Sequence, residues 1–160
     1  MDSQEEIYPM PSFVTLAVKD TARSSAWYQD VLGFRHVATI PGPGGKPYLV
    51  HLRWVKYADL LLVAERAPVN DPKGIACTLC FSMFARGEDS VDPLADKARS
   101  AGATIVAGPA DMPWNAREVT IADPDGFRLN FTAPLRTATG DLKASGESFQ
   151  QVVDRLSRGA

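Results

Sequence analysis

The chain has 160 residues, of which 45% are hydrophobic and 22% are charged, and its formal net charge is −2 at pH 7. These proportions are typical of a globular domain long enough to bury a substantial core. They exclude the basic patch that nucleic-acid binding requires, and no apolar run approaches the roughly 20 residues of a membrane-spanning helix. We therefore expect neither nucleic acid nor membrane as a partner. The acidic start without an apolar stretch predicts a cytoplasmic location.

The first half of the chain is predicted to form a strand, a helix and three more strands. Residues 12–20 alternate, so that their aliphatic side chains share one face of a strand: Val14, Leu16 and Val18. Asp20 or Thr21 then caps a helix, and Gly33 ends that helix in a left-handed conformation. Three strands follow, at residues 34–40, 48–55 and 58–65.

A linker-like stretch at residues 66–74 separates this half from a second half with the same order of elements. A strand at 75–83 precedes a helix that is predicted to begin at Ser90 or Asp92 and to end at Gly102. Three strands are then predicted at residues 104–108, 115–123 and 127–133. The order β-α-β-β-β therefore occurs twice, at about residues 12–65 and 75–132.

The predicted fold class is α+β, with two βαβββ repeats forming a half-open curved sheet whose helices lie outside. The expected domain spans residues 12–134, after an N-terminal arm at 1–11. In the tail at 135–160, a C-terminal helix would carry apolar side chains on one stripe: Phe149, Val152, Val153 and Leu156.

The sequence VTIADPDGFRLNFTA, residues 119–133, predicts a hairpin around the turn Asp123-Pro124-Asp125-Gly126. In its second strand the apolar residues Phe127, Leu129 and Phe131 fall on one side, and the polar residues Arg128, Asn130 and Thr132 fall on the other. We expect the polar side to line the trough that the curved sheet encloses.

Cys77 and Cys80 form a C-x-x-C pattern, which in other settings indicates a redox or zinc site. Here the pattern lies in a predicted strand, where residues three apart point to opposite faces. No second Cys or His pair is near in the sequence. We expect two buried thiols without such chemistry.

Two stretches together resemble the vicinal oxygen chelate superfamily, which contains glyoxalase I, ring-cleaving dioxygenases, fosfomycin-resistance enzymes and bleomycin-binding proteins. The first is FVTLAVKDTARSSAWYQDVLGF, with its aromatic pair and L-G-F ending, and the second is the D-P-D-G hairpin. With the repeated βαβββ order, the resemblance covers about residues 12–133. It implies a trough that carries a divalent metal in the enzymes of the superfamily.

The resemblance also implies where the metal ligands, His and Glu side chains in those enzymes, would fall. The four positions are Phe13, a residue around Leu61 to Val63, Ala76 or Thr78, and Asn130. None offers imidazole or carboxylate, and the neutral amide of Asn130 stands where the enzymes keep a glutamate. We therefore expect no metal and no other cofactor.

A trough without metal is still suited to binding a small molecule between apolar walls and a few polar groups. The candidate ligand-binding residues are Phe13, Thr15, His51, Arg53, Trp54, Trp114, Glu118, Thr120, Arg128 and Asn130. In the strand at 48–55, His51 and Arg53 lie on one face and Trp54 on the other, so only one of these faces lines the trough.

The interpretation favoured by the resemblance is a metal-independent protein that binds a drug or aromatic metabolite, similar to bleomycin-binding resistance proteins and, like them, a homodimer. No catalytic residue is assigned. An alternative is a metal-dependent lyase, isomerase or ring-cleaving dioxygenase with misplaced donors, among them His51, Glu65 and Glu118. Two further alternatives are an enzyme using Glu118 or His51 as acid or base, and an interaction module.

Overall fold

The computed structural model describes residues 10, 12–66, 74–82 and 85–136, together with residues 151, 154, 157 and 158. Most of the predicted N-terminal arm, most of the linker and the apolar stripe of the predicted C-terminal helix lie outside these residues, as does Met83 of the fifth predicted strand. Within the described ranges, no helix is both long and apolar enough to cross a membrane.

Ten elements follow one another in the described chain. In order they are β1 (Val14–Val18), α1 (Thr21–Leu32), β2 (Arg35–Pro41), β3 (Pro47–Arg53), β4 (Asp59–Ala64), β5 (Ile75–Cys80), α2 (Gly87–Ser100), β6 (Thr104–Met112), β7 (Ala116–Ala122) and β8 (Arg128–Pro134). A single 3₁₀ turn at Pro43–Gly45 connects β2 with β3. The predicted βαβββ order, present twice, is confirmed.

The strands form two separate four-stranded sheets with matching topology. Their strand orders are β1-β4-β3-β2 and β5-β8-β7-β6. In each sheet the first strand pairs in parallel with the fourth, and the remaining pairs are antiparallel. Strands β1 and β5 are therefore edge strands, and two open sheets result. The predicted α+β class is confirmed.

One face of each sheet packs under its own helix, and side chains from both halves meet in one hydrophobic core. Leu16, Val18, Leu129 and Phe131 are buried, as the alternation in their strands predicted, and further apolar strand residues are buried with them: Val50, Leu52, Leu60, Leu62, Val119 and Ile121. We call the opposite face of each sheet, turned away from its helix, the open face. Each helix covers every second residue of the strands beneath it, so the residues between them remain on the open face.

The ends of helix α1 follow the sequence signals. The Asp20 carboxylate accepts a hydrogen bond from the Arg23 amide at 2.9 Å, as expected of an N-cap. Gly33 ends the helix at φ 77°, in the left-handed region where a glycine carries no steric cost.

Two buried contacts join the halves. The Trp54 ring lies edge-on to the rings of Phe81 and Phe131, with centroid separations of 4.9 and 5.4 Å. On helix α1, the Tyr28 hydroxyl donates a 2.8 Å hydrogen bond to the Asp123 carboxylate in the β7–β8 turn. These contacts join the two halves of the chain through residues of the core and its partly buried margin.

Asp123 is the polar centre of the β7–β8 turn. Its second oxygen accepts the backbone N–H groups of Asp125 and Phe127 at 2.9 and 2.8 Å. Burial raises the pKa of Asp123 above its ordinary value, although these hydrogen bonds oppose the shift. Burial, reinforced by the neighbouring carboxylate, also raises the pKa of Tyr28, so the phenol stays a neutral donor.

Several predicted boundaries differ from the structure, and two of the differences have a clear physical reason. Helix α2 begins at Gly87 instead of Ser90 or Asp92, because Glu88 and Asp89 place negative charge in its first turn, at the positive end of the helix dipole. Strand β6 continues to Met112 instead of ending at residue 108, because a register shift between Ala107 and Ala110 accommodates Pro109 without ending the pairing with β7.

Candidate functional site

A chain of hydrogen bonds runs across the open face of the second sheet. The Thr120 hydroxyl donates to Asn130 Oδ1 at 3.1 Å, and Asn130 Nδ2 donates to Glu118 Oε2 at 3.0 Å. Trp114 Nε1 donates to the other oxygen of Glu118 at 2.9 Å. We call these four residues the Asn130 chain. Each oxygen of Glu118 has a donor, so its carboxylate orients the Trp114 ring.

Strand register explains why the sequence brings these residues together. Thr120 pairs directly with Asn130 on β8, and Glu118 pairs with Thr132 on the same strand. Residues that face one another across antiparallel strands share a face, so Glu118, Thr120 and Asn130 lie on the open side, and Trp114 joins them from the β6–β7 turn through its hydrogen bond to Glu118. Asn130 and Thr120 are buried. The hydrogen bonds to residues of the neighbouring strand explain why a polar side chain occupies the middle of this face.

A cavity of about 260 Å³ opens on the second half, next to Trp114. Its lining is mostly apolar and comprises Cys80, Phe81, Trp114, Asn115, Ala116, Thr132, Ala133 and Pro134. The Trp114 side chain is 54% exposed, so part of its ring remains available to a ligand. Pockets for drug-sized ligands measure about 300–1,000 Å³, so this cavity is slightly small to hold such a ligand alone.

The open face of the first sheet carries a buried ionic cluster. Asp59 Oδ1 accepts a hydrogen bond from Arg53 Nε at 2.8 Å and lies 2.6 Å from His51 Nε2. The side chain of Asp59 is fully buried, and that of Arg53 is 4% exposed. Asp59 therefore fixes the imidazole and the guanidinium relative to each other.

The structure places the predicted ligand-binding residues in four groups. Thr15, His51 and Arg53 lie on the open face of the first sheet, and Glu118, Thr120, Arg128 and Asn130 lie on that of the second. Trp114 adjoins the second group through its hydrogen bond to Glu118, and Phe13 is exposed just before β1. Trp54 packs in the core on the helix side, and it therefore lies apart from both open faces.

His51 and Glu118, either of which the sequence suggested as an acid or base, have different hydrogen-bond partners among the described residues. Each is held on its own sheet by other partners, Asp59 in one case and Trp114 with Asn130 in the other. These hydrogen bonds therefore orient the imidazole and the carboxylate separately and do not link one to the other.

The two cysteines lie on opposite sides of β5, as the strand prediction required. Cys77 faces the core, and burial raises the pKa of its thiol to about 11. Cys80 pairs with Thr132 on the open side and is exposed. The expectation that both thiols are buried is therefore wrong for Cys80, because the open face of this edge strand has no covering element among the described residues.

The positions implied for metal ligands hold no suitable donor set. Leu61 pairs with Thr15 and Thr78 pairs with Asn130, which places an aliphatic group and a hydroxyl at the two positions whose register the sequence left uncertain. Among the described residues, no three His, Cys, Asp or Glu side chains lie close enough together to hold a metal ion. A catalytic divalent metal does not fit these side chains.

The sequence did not lead us to include Asp59, Arg35 or Cys80 among the candidate ligand-binding residues. Asp59 immediately precedes the apolar run of β4, and a lone carboxylate at a strand start is an ordinary surface feature in a sequence. Only the β3–β4 register, which pairs Asp59 with Arg53, brings it beneath a guanidinium and an imidazole.

Comparison with known proteins identifies one matching family and many solved structures with a similar fold. Residues 11–131 match the family model described as the Glyoxalase/Bleomycin resistance protein/Dioxygenase superfamily. No curated protein matches the chain.

Three solved structures illustrate the structural similarity. TioX from Micromonospora sp. ML1 is 25% identical, with 77% of this chain and 97% of that chain covered and a TM-score of 0.60. TnmS3, an antibiotic binding protein from Streptomyces sp. CB03234, is 24% identical, with coverage of 76% and 93% and a TM-score of 0.58. The fosfomycin resistance protein FosX from Listeria monocytogenes shares the fold at 13% identity, with coverage of 85% and 100% and a TM-score of 0.59.

Proposed function

Because this chain belongs to the glyoxalase/bleomycin resistance protein/dioxygenase superfamily, we propose that it binds a small organic molecule, a drug or an aromatic metabolite, without a metal ion. The open faces of its two sheets form the binding surface. Binding without chemical conversion is the function we favour, because neither open face holds a nucleophile with an adjacent base or a set of metal donors among the described residues.

The observation that carries this proposal is the apolar cavity beside an oriented Trp114. Glu118 holds the indole N–H, so the ring is fixed before a ligand arrives and less conformational entropy is lost on binding. An apolar wall with a few placed polar groups is the usual composition of a small-molecule site.

The relatives suggest which ligands to test first. TnmS3 is an antibiotic binding protein and FosX a fosfomycin resistance protein, and both share this fold. Antibiotics are therefore the first ligand class, and planar aromatic compounds are the second because they match the exposed face of Trp114.

Thermal unfolding with bleomycin, fosfomycin and a panel of planar aromatic compounds tests the proposal. A ligand raises the melting temperature by mass action, and its binding is expected to protect Cys80 from alkylation because Cys80 lines the cavity. For a compound that binds, Trp114→Ala is expected to weaken affinity about 10-fold or more, as is usual for an aromatic residue central to a site.

Tyr48→Ala is the matched control, since Tyr48 is an exposed aromatic residue on β3 whose neighbour Leu49 faces the open side. It should leave affinity unchanged. Equal losses in the two variants, or a metal content near one equivalent per purified chain, would contradict the proposal and favour a metal-dependent enzyme.

We further propose that the protein acts as a homodimer in which a second copy covers the open faces. Two observations support this: the cavity of one chain is small for a drug, and large apolar side chains are exposed on the edge strands, with Phe13 48% and Ile75 54% accessible. Light scattering should give twice the chain mass of 17.3 kDa. A single-chain mass at all protein concentrations would exclude the dimer.

The cytoplasmic location indicated by the sequence stays a prediction, as do the domain limits at residues 12–134.

A further inference from the structure

Arg35, at the start of β2, has a cationic side chain for which the described part of the chain supplies no acceptor at Nε. Its Nε atom is buried, and no acceptor among the described residues bonds to it. Its side chain likewise forms no ion pair with a carboxylate in the described ranges. A buried donor left without an acceptor is rare and costly, and a bound ion or ligand is one of the accepted explanations.

Strand register places Arg35 beside the ionic cluster of the first sheet. Arg35 pairs directly with Arg53 across β2 and β3, so the two side chains share the open face. His51 lies two residues from Arg53 on the same face and the same strand.

The carboxylate of Asp59 serves Arg53 and His51 and leaves Arg35 Nε, within the described ranges, without an acceptor. Asp59 pairs with Arg53 across β3 and β4, and its Oδ1 atom accepts from Arg53 Nε and lies 2.6 Å from His51 Nε2. An anion placed against Arg35 would supply the acceptor that the described residues do not give its buried Nε.

We propose that Arg35, with Arg53 and His51 beside it, binds the oxyanion of the ligand, a carboxylate or a phosphate carried on an aromatic body. The inference rests on the proposed function and narrows its ligand class to aromatic acids. A guanidinium suits this role because its donors match a carboxylate or phosphate in a bidentate geometry. Asp59 positions Arg53 and His51 and does not contact the ligand.

Isothermal titration of the full-length protein with 2-naphthoate and 2-naphthamide tests the inference. The two probes have nearly the same shape and differ in charge. We expect naphthoate to bind about 10-fold or more tightly than naphthamide, because charge-assisted hydrogen bonds are roughly twice as strong as neutral ones. A parallel titration with 2-naphthyl phosphate shows which oxyanion is preferred.

Arg35→Gln should reduce the preference for the anion to less than about 3-fold, since the neutral amide cannot replace the charge-assisted hydrogen bonds of Arg35 and the Arg53 guanidinium is already engaged with Asp59. Arg23→Gln is the control, because Arg23 is an exposed arginine on α1 and the variant changes the net charge equally. It should retain the preference and thereby exclude a general effect of charge.

Equal binding of the anions and the amide by the unaltered protein would overturn the inference while leaving the aromatic site in place. Binding of none of the probes would overturn it too, and the antibiotic screen with Trp114→Ala would then decide the proposed function separately.

A second variant tests the unpaired donor without any ligand. Arg35→Met removes the unsatisfied Nε while keeping the aliphatic stem, so the melting temperature of the ligand-free protein should stay the same or rise. A clear fall would mean that Arg35 already stabilises the free protein, and would overturn the inference.

Discussion

Replacing Trp54 with alanine is expected to lower the free energy of unfolding by about 3 kcal/mol, the lower end of the usual range for truncating a large aromatic core residue, because Trp54 is partly buried against the core. The Trp54 ring contacts Phe81 and Phe131 of the other half, so the variant loses packing at the junction of the two halves. Urea unfolding followed by circular dichroism measures the change.

Trp114→Ala is the matched control for this measurement. Its ring is 54% exposed and its one described hydrogen bond is at the surface, so the stability loss should stay below about 1 kcal/mol. Similar losses for the two tryptophans would show that Trp54 does not occupy the core. The pair therefore separates a tryptophan that stabilises the fold from one placed to contact a ligand.

Asp123→Ala is expected to lower the free energy of unfolding by about 3 kcal/mol, since it removes the acceptor of three hydrogen bonds worth roughly 1 kcal/mol each. The Tyr28 hydroxyl, fully buried, would be left without its partner, and the β7–β8 turn would lose both backbone contacts. Urea unfolding at pH 7 measures the loss.

Two companion variants separate the parts of this effect. Tyr28→Phe removes only the contact between the halves and should cost about 1 kcal/mol, whereas Asp96→Ala, an exposed residue paired with Arg99, should cost less than about 0.5 kcal/mol. A loss for Asp123→Ala no larger than that for Asp96→Ala would contradict the role given to Asp123.

The raised pKa of Asp123 adds a pH dependence to the same measurement. The folded state holds this proton more tightly than the unfolded chain does, so ionisation of Asp123 lowers stability as pH rises from its ordinary pKa of 3.8 through the raised value. Asp123→Asn, which does not titrate, should lack that part of the pH dependence.

Local patterns were sufficient for most of the fold. Alternation in β1 predicted the burial of Leu16 and Val18, and the signals at Asp20 and Gly33 predicted both ends of α1. These features depend on neighbours within one turn or one strand, so the sequence carries them directly. The predicted start of α2 was wrong by one turn because several residues near it can begin a helix, and the charges of Glu88 and Asp89 favour the earlier start at Gly87.

The candidate site was predicted only in part, for a different reason. Alternation separated His51 and Arg53 from Trp54, but both groups remained candidates because periodicity does not say which face a helix will cover. Packing of α1 against β3 and β4 decided that Trp54 belongs to the core side. Arg35 and Asp59 were missed because their proximity to Arg53 depends on pairing across strands.

The sequence by itself determined the two βαβββ units, the polar side of β8 around Asn130, and the lack of imidazole or carboxylate at the positions implied for metal ligands. Only the tertiary structure decided that Glu118 binds Trp114 and Asn130, that Cys80 is exposed beside a cavity, and that Arg35, opposite Arg53, has no acceptor for its Nε among the described residues. The physical reason is that side-chain identity and period are local properties, whereas hydrogen-bond partners and unbalanced charge arise from strand register and helix packing between residues distant in the chain.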